Sequence, residues 1–173
     1  MKKSNSIVLL LFFTLLSIQN AHSQATISQA QSIFIYNFTR LIEWPADSKT
    51  GDFIIGVYGS SEEYSELKTY TAGKMVGNQN ILIKKMSSVE DISGIHILFV
   101  AFGKTKELPT IVNKIGGSRT LIITEKSGGL EQGATINFVI VDDKLRYEVK
   151  TSNATKIGLK YHSNLETMSM SKR

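Results

Sequence analysis

An apolar run in the middle of the chain, HILFVAF over His96–Phe102, most strongly limits the folds open to this sequence. It is far shorter than the roughly 20 apolar residues that cross a bilayer. Its length suits a β-strand that is buried on both faces, and such a strand needs helices on each side of its sheet. The run therefore predicts an α/β fold.

Helix and strand patterns alternate along the rest of the chain, which is typical of an α/β domain. Helices are predicted over Ser28–Glu43, Glu62–Tyr70, Lys104–Ile115 and Ser152–Met168, with a short helical piece at Val89–Ile92. Strands are predicted over Asp52–Tyr58, Ile81–Met86, His96–Phe102, Thr120–Thr124, Thr135–Val141 and Leu145–Val149. The expected fold is a single-domain, three-layer, Rossmann-like mixed sheet with helices on both faces and a C-terminal antiparallel hairpin followed by a helix.

The first predicted helix carries an apolar face at spacings of three and four residues. The members of this face are Ile33, Phe34, Phe38, Leu41 and Ile42. Tyr36 and Trp44 lie off the face, so they are candidate contacts for a protein partner. Alternatively, Trp44, beside Pro45, packs as a cap on the core.

The N-terminus has the parts of an export signal. Lys2 and Lys3 precede an apolar run over Ile7–Ile18, and Ala21 and Ser23 supply the small residues of a cleavage site. That run is also too short for a transmembrane helix, which needs about 20 apolar residues. We predict a signal peptide over residues 1–23 and a periplasmic domain over residues 24–173 with no stable membrane insertion.

The composition excludes several functional classes. Cysteine is absent, which excludes disulfide scaffolds, zinc fingers and thiol nucleophiles. The formal charge of +5 falls to +3 when Lys2 and Lys3 leave with the signal peptide. The remaining cations are scattered along the sequence, so no nucleic-acid groove is predicted.

Three loops follow strands that should be parallel, and ligands of Rossmann-like sheets bind at such strand ends. The candidate ligand residues in these loops are Gly59, Ser60, Ser61, Gly103, Lys104, Thr105, Glu125 and Ser127. The first loop could hold an anion at a helix N-terminus, or it could be a plain turn capped by Ser60 or Ser61. Gly103-Lys104-Thr105 resembles the end of a phosphate-binding loop, but Leu98 stands where that motif needs glycine.

No catalytic or metal-binding set is predicted. His22 lies in the signal peptide, His96 begins the apolar strand and is interpreted as a structural residue, and His162 lies near the end of the last helix. None of them is paired by a motif with a serine nucleophile. Asp142-Asp143 is interpreted as a hairpin turn and not as a metal site. We therefore predict a protein that is not an enzyme and that uses no metal or cofactor.

Several short motifs stand in the order seen in one bacterial family. They are Tyr36-Asn37-Phe38, Glu43-Trp44-Pro45, Phe53–Val57 with Gly59, His96–Val100, Gly133–Val139, Arg146–Val149 and Gly158-Leu159-Lys160. On these motifs the chain resembles YfiR-like proteins over nearly the whole predicted mature domain.

The resemblance implies a periplasmic regulator. Members of the family hold back a membrane-bound diguanylate cyclase by binding its periplasmic sensor part, which lowers cyclic-di-GMP output and biofilm formation. Many relatives carry a cysteine just before the His-Ile-Leu-Phe motif, whereas this chain has Ile95 there and contains no cysteine. Redox control through disulfides is therefore excluded for this chain.

The expected partner is the periplasmic domain of an inner-membrane signalling protein, with a homodimer as a further option. The alternative hypothesis is a periplasmic small-molecule-binding protein that uses the strand-end loops.

Overall fold

A computed structural model of the chain describes residues 27–170, so the predicted signal peptide lies outside the described residues. The helices are α1 (27–41), α2 (Ser61–Tyr70), α3 (Leu108–Lys114), α4 (Thr151–Lys156) and α5 (Asn164–Thr167). The strands are β1 (Ile42–Glu43), β2 (Phe53–Tyr58), β3 (Met75–Val76), β4 (Gln79–Met86), β5 (Ile97–Val100), β6 (Leu121–Thr124), β7 (Ile136–Val141), β8 (Lys144–Val149) and β9 (Lys160–Tyr161). Short 3-10 helices cover Ala46–Ser48, Val89–Asp91 and Phe102–Glu107.

Seven of the strands form one mixed sheet in the order β3-β4-β2-β5-β6-β7-β8. The five inner strands are parallel, and β3 and β8 close the two edges as antiparallel strands. After β2 the chain forms β4 on one side and then crosses over to form β5 on the other side. The order therefore reverses between β2 and β5, and the predicted Rossmann-like mixed sheet with a C-terminal hairpin is confirmed.

Both faces of the sheet are covered by an apolar core. Along β5, Ile97 and Phe99 belong to one core, whereas Leu98 and Val100 belong to the other, because successive side chains of a strand point to opposite faces. The first core includes residues of α1, α2 and α4, namely Ile35, Phe38, Leu67 and Ala154. The second includes Leu108 and Ile111 of α3. The central strand is therefore buried on both faces, as the apolar run predicts.

The buried face of α1 differs from the predicted one. Ile35 and Phe38 are buried, but Ile33 is 39 % exposed and was wrongly assigned to the core face. The buried stripe continues through polar side chains, namely Ser28, Gln31, Ser32 and Thr39. An apolar-only pattern misses this face because four of its members carry hydrogen-bonding groups.

The long C-terminal helix predicted over Ser152–Met168 is wrong. The segment forms α4, then β9, then α5. Gly158 at φ +76° follows α4, and β9 pairs antiparallel with β1, so that Tyr161 lies opposite Ile42. The helix is interrupted because the chain exchanges local hydrogen bonds for pairing with a strand near the other end of the domain.

Turn chemistry explains the two hairpins. Asp142 and Asp143 join β7 to β8 at φ +50° and +57°, which is the backbone of a two-residue hairpin turn and confirms the predicted hairpin. The β3–β4 hairpin was not predicted, although Gly77 at φ +58° marks its turn. The predicted helix Lys104–Ile115 begins as a 3-10 helix, and α3 itself starts beside Pro109.

Candidate functional site

The point where the strand order reverses lies next to an open cleft of about 630 Å³. The cleft is formed at the carboxyl ends of the parallel strands, with α1 along one side and the β7–β8 hairpin along another. Its lining residues are Ile27, Ser28, Gln31, Ser60, Glu62, Phe99, Phe102, Glu125, Ser127, Asn137, Phe138, Val139, Ile140, Leu145 and Glu148. Sheets of this kind bind ligands at this place.

Three of the predicted ligand residues line the cleft: Ser60, Glu125 and Ser127. The other predicted ligand residues, Gly59, Ser61, Gly103, Lys104 and Thr105, are not among its lining residues. The structure thus brings the first and third predicted loops together at one cavity. The second loop contributes Phe102 in place of the residues that were predicted.

The Gly59–Ser61 loop is built as a turn and a helix cap. Gly59 has φ +96°, and a Cβ there would lie 2.5 Å from Cγ of Lys104, so both conformation and space require glycine. Ser60 is the N-cap of α2, and its Oγ accepts a hydrogen bond of 3.0 Å from the amide of Glu63. The Ser61 hydroxyl accepts a bond of 2.7 Å from Nζ of Lys85.

The charge of Lys104 is already paired outside the cleft. Its Nζ lies 3.1 Å from Oε1 of Glu107 and 4.9 Å from the centre of the Tyr58 ring. The Tyr58 hydroxyl donates to the other Glu107 oxygen at 2.5 Å, and the hydrogen bonds from Tyr58 and Lys104 lower the pKa of Glu107. Thr105 donates to the carbonyl of Phe102 at 2.7 Å. The Gly103–Thr105 segment is therefore held by internal bonds and does not form a phosphate cradle.

Glu125 ties three parts of the cleft together. One of its carboxylate oxygens accepts from Nε2 of Gln31 at 2.8 Å, and the other accepts from the amide of Phe102 at 2.7 Å. These bonds link the loop after β6 to α1 and to the loop after β5. Both donors are neutral groups, so the negative charge of Glu125 is retained at the cleft.

Buried polar groups lie in and beside the cleft. Asn137 is 1 % exposed and donates through Nδ2 to Oε2 of Glu148 at 3.4 Å, while its Oδ1 has no hydrogen-bond partner within residues 27–170. Thr124, opposite it on β6, has an Oγ1 without a partner in the same range. Asn137 was not among the predicted site residues, although an amide inside the apolar strand INFVIV is a recognisable signal.

A second feature lies on the surface formed by α1 and the end of α2. Lys74 places its Nζ 3.2 Å from the ring centre of Tyr70 and 4.8 Å from that of Tyr36, and Arg40 lies 5.5 Å above the Tyr36 ring. Tyr36 and Tyr70 meet edge to face at 5.9 Å. We call these four residues the Tyr36 surface. Neither cation forms an ion pair within the part of the chain that the structure describes.

The sequence model of the family described as YfiR/HmsC-like matches residues 28–169. The chain belongs to the YfiR/HmsC-like family. No curated protein sequence matches it significantly. Membership supports a regulatory role in cyclic-di-GMP signalling in general, and the family is a regulatory, non-catalytic one. Within residues 27–170, no helix combines the length and apolarity that a membrane span requires.

Two of the family-like motifs serve the core of this YfiR/HmsC-like chain. Trp44 is only 4 % exposed; its Nε1 donates to the carbonyl of Arg119 at 3.0 Å, and its ring meets Phe53 edge to face at 4.9 Å. Trp44 therefore closes the core and is not an exposed partner contact. His96 accepts from the amide of Ile54 through Nδ1 at 3.0 Å, lies 2.9 Å from the Ser48 carbonyl through Nε2 and stacks on Phe53.

The polar groups of His96 are thus all used in holding the strand end, which agrees with its structural interpretation. No group of three or more His, Asp or Glu side chains in residues 27–170 is placed to hold a metal ion.

Proposed function

We propose that this chain is an exported, non-enzymatic regulator that binds the periplasmic part of an inner-membrane signalling protein, a diguanylate cyclase, and restrains it. The match of residues 28–169 to the YfiR/HmsC-like family carries the proposal. Export through the signal peptide at residues 1–23 is part of it, because the partner's sensor part lies outside the cytoplasm. Control then passes through protein contact and not through turnover of a substrate.

The Tyr36 surface is the contact region that the geometry favours. Tyrosine and arginine are enriched among the residues that contribute most to protein interfaces. The side chains of Arg40 and Lys74 are held over tyrosine rings and lack carboxylate partners in residues 27–170, so they offer preorganised positive charge. The complementary partner surface is acidic.

A cellular assay tests the restraint. Deleting the gene for this chain should raise cyclic-di-GMP, measured by mass spectrometry, and restoring the wild-type chain should lower it again. The double charge reversal Arg40→Glu/Lys74→Glu should fail to lower it and should lose co-purification with the membrane partner. The matched control Lys106→Glu/Lys156→Glu makes the same charge change at exposed sites elsewhere and should behave as wild type.

The outcomes separate the two parts of the proposal. Unchanged cyclic-di-GMP on deletion would overturn control of a cyclase. A functional Arg40→Glu/Lys74→Glu variant would leave the regulator intact and remove the Tyr36 surface as its contact region.

The second candidate function is small-molecule binding in the cleft. It is supported by the size and position of the cavity and by the lining residues Ser60, Glu125 and Ser127. A ligand at one hundred times its dissociation constant stabilises the folded state by about 2.7 kcal/mol. A thermal-shift screen of metabolites would reveal such a ligand, and the absence of any shift across a broad library would count against this function.

A further inference from the structure

One edge of the seven-stranded sheet is only partly closed. β3 pairs with Gln79 and Asn80 at the start of β4 and with no later residue. Lys74, the residue before β3, lies outside this ladder, because its amide donates to the carbonyl of Thr71 at 2.9 Å. Residues 81–86 pair with β2 on their inner side, and no strand within residues 27–170 covers their outer side. We call residues 81–86 the β4 edge.

The β3–β4 hairpin fixes which backbone groups of the β4 edge point outwards. Its turn has two residues, so Gln79 exchanges its backbone hydrogen bonds with β3. Every second residue after Gln79 points in the same direction, which places the N–H and C=O groups of Ile81, Ile83 and Lys85 on the outer side. These groups have no hydrogen-bond partner within residues 27–170. An unpaired row of this kind is a template for another strand.

The opposite edge of the sheet is covered in part by the chain itself. The amide of Met170 donates to the carbonyl of Tyr147 on β8 at 2.9 Å, and the Tyr147 hydroxyl donates to the carbonyl of Leu165 at 2.8 Å. The C-terminal segment therefore lies against β8. The β4 edge has no such cover within residues 27–170, so it is the better site for a strand from another molecule.

The side chains of the β4 edge combine apolar surface with positive charge. Leu82 is 41 % exposed, and Lys84 and Lys85 are both exposed. Nζ of Lys85 donates to the hydroxyl of Ser61 at 2.7 Å, which is a neutral partner, and neither lysine forms an ion pair within residues 27–170. An apolar position followed by two uncompensated charges matches a strand with apolar and acidic side chains.

This charge distinguishes a different protein from a second copy of the chain. The sequence of β4, QNILIKKM, contains no acidic residue. Two copies paired edge to edge would bring Lys84 and Lys85 of both chains into one short ladder, where like charges destabilise the pairing. Lysine on an edge strand is a common protection against such self-association. An acidic strand of another protein would instead compensate the charge.

We propose that the β4 edge binds an extended acidic segment of the membrane partner, which adds to the sheet as a further strand. Its backbone pairs with the outward groups of the edge, its apolar side chains pack beside Leu82, and its carboxylates face Lys84 and Lys85. This segment belongs to the partner of the proposed function, on which the inference rests. The β4 edge also continues the Tyr36 surface, since Lys74 directly precedes β3.

Peptide binding tests the edge without knowledge of the natural partner. The probe is a synthetic peptide with blocked ends, Thr-Glu-Glu-Val-Thr-Val-Thr, made in this order and in the reverse order. The control peptides carry lysine in place of both glutamates. In fluorescence anisotropy with the purified chain, one acidic peptide should bind about tenfold more tightly than its lysine control. Raising the salt concentration should weaken the acidic peptide.

Amide hydrogen exchange followed by nuclear magnetic resonance locates the bound peptide. The outward amides of Ile81, Ile83 and Lys85 should exchange fast in the free chain and become protected when the acidic peptide is added. The amides of Leu82 and Lys84, which point towards β2, should be protected in both states. This measurement uses the wild-type chain, so it does not depend on the folding of any variant.

Two substitutions of one residue separate the backbone contribution from the charge. Lys85→Pro and Lys85→Thr both remove the charge and the bond to Ser61, but only proline removes the outward N–H. Proline is tolerated on an edge strand where its missing N–H would face solvent. Lys85→Pro should weaken the acidic peptide about tenfold, and Lys85→Thr only about threefold. Circular dichroism verifies that each variant is folded.

The results with the purified chain can overturn the inference in three ways. Equal binding of the lysine peptides would overturn the acidic segment. Absence of binding at millimolar concentration, or binding that leaves the outward amides unprotected, would overturn strand addition at the β4 edge. A dimer of the chain alone, found by sedimentation and protecting the same amides, would assign the edge to a second copy.

The cellular assay distinguishes failure of the inference from failure of the proposed function. If the wild-type chain lowers cyclic-di-GMP and Lys85→Pro lowers it equally, the β4 edge is not the contact and the proposed function stands. Unchanged cyclic-di-GMP on deletion of the gene would overturn cyclase control. In that case the peptide and exchange results would still decide whether the edge accepts an acidic strand.

Discussion

The Ser32 hydroxyl of α1 donates a hydrogen bond of 3.0 Å to Oε1 of Glu63 in α2, and both side chains are buried. Burial is the main cause that raises the pKa of Glu63, and the nearby carboxylates of Glu125, Glu66 and Glu62 add to it. Against the lowering effect of the Ser32 bond, the pKa becomes about 8. At neutral pH most Glu63 side chains therefore carry a proton. A neutral acid joins the two helices beside the cleft.

The first prediction concerns the pH dependence of stability. The folded pKa of Glu63 lies above its ordinary value of 4.5, so the folded state binds more protons than the unfolded state between these two values. The stabilisation is complete below the lower value and is lost as the pH rises towards about 8, by at most about 1.4 kcal/mol per pH unit.

Replacing Glu63 by Gln should remove this part of the slope, because the amide cannot ionise. Urea unfolding at several pH values, followed by the fluorescence of the single tryptophan, measures it. Asp52→Asn serves as the control for loss of a carboxylate, because Asp52 is exposed and is not one of the carboxylates that raise the pKa of Glu63. Glu63 is not the source of the pH dependence if wild type and Glu63→Gln lose stability in parallel between pH 4.5 and about 8.

The second prediction concerns the indole of Trp44. Trp44→Phe keeps an aromatic ring against Phe53 but removes the donor to the Arg119 carbonyl. We expect a loss of about 1–3 kcal/mol in the free energy of unfolding, because the part-buried hydrogen bond is lost and the smaller ring packs less well. Denaturation followed by far-ultraviolet circular dichroism checks this, since the variant has no tryptophan. A loss under about 0.5 kcal/mol, the usual range of a surface change, would contradict it.

The third prediction concerns the turn between β7 and β8. Asp142 and Asp143 both hold positive φ, which Asn-Gly adopts with less strain in this kind of turn. Asp142→Asn/Asp143→Gly should therefore stabilise the protein by about 0.5–1 kcal/mol, whereas Asp143→Ala should destabilise it. Thermal unfolding of the three proteins gives the order. If Asp143→Ala were the most stable of the three, backbone strain in the turn would not determine their order of stability.

The fourth prediction concerns Gly129, which lies against β6 and β7. A Cβ at this position would collide with Cγ2 of Thr124 and lie 3.0 Å from the Lys126 carbonyl oxygen. Gly129→Ala should destabilise the protein by about 1–3 kcal/mol, as overpacking does. Gly103→Ala is the matched control, because no atom of residues 27–170 lies within 4 Å of a Cβ there. Equal stability of the two variants would mean that the loop after β6 yields without cost.

Local signals were sufficient for much of the fold. The apolar run at β5 is recognisable from seven consecutive residues. The Ser60 cap and the Asp142-Asp143 turn each depend on a few consecutive residues. Together these signals predicted the mixed sheet with helices on both faces. They also placed Ser60, Glu125 and Ser127 at strand ends that meet in the cleft.

The interruption of the C-terminal helix and the burial of Trp44 were decided by contacts between distant parts of the chain. The segment after Ser152 has a helical pattern, but the pairing of β9 with β1 interrupts the helix. The indole of Trp44 finds its acceptor 75 residues away, at Arg119. In both cases the interacting partner is distant in the sequence, so the local pattern does not reveal it.

The sequence by itself determined the α/β class, the strand-end loops and the absence of cysteine chemistry, because each follows from composition or from short-range pattern. Only the tertiary structure decided that the buried face of α1 is partly polar, that Glu63 is enclosed against Ser32, and that the Asn137 amide oxygen is buried without a partner in residues 27–170. The physical reason is that burial and electrostatic environment are properties of assembled neighbours, which a one-dimensional pattern does not specify.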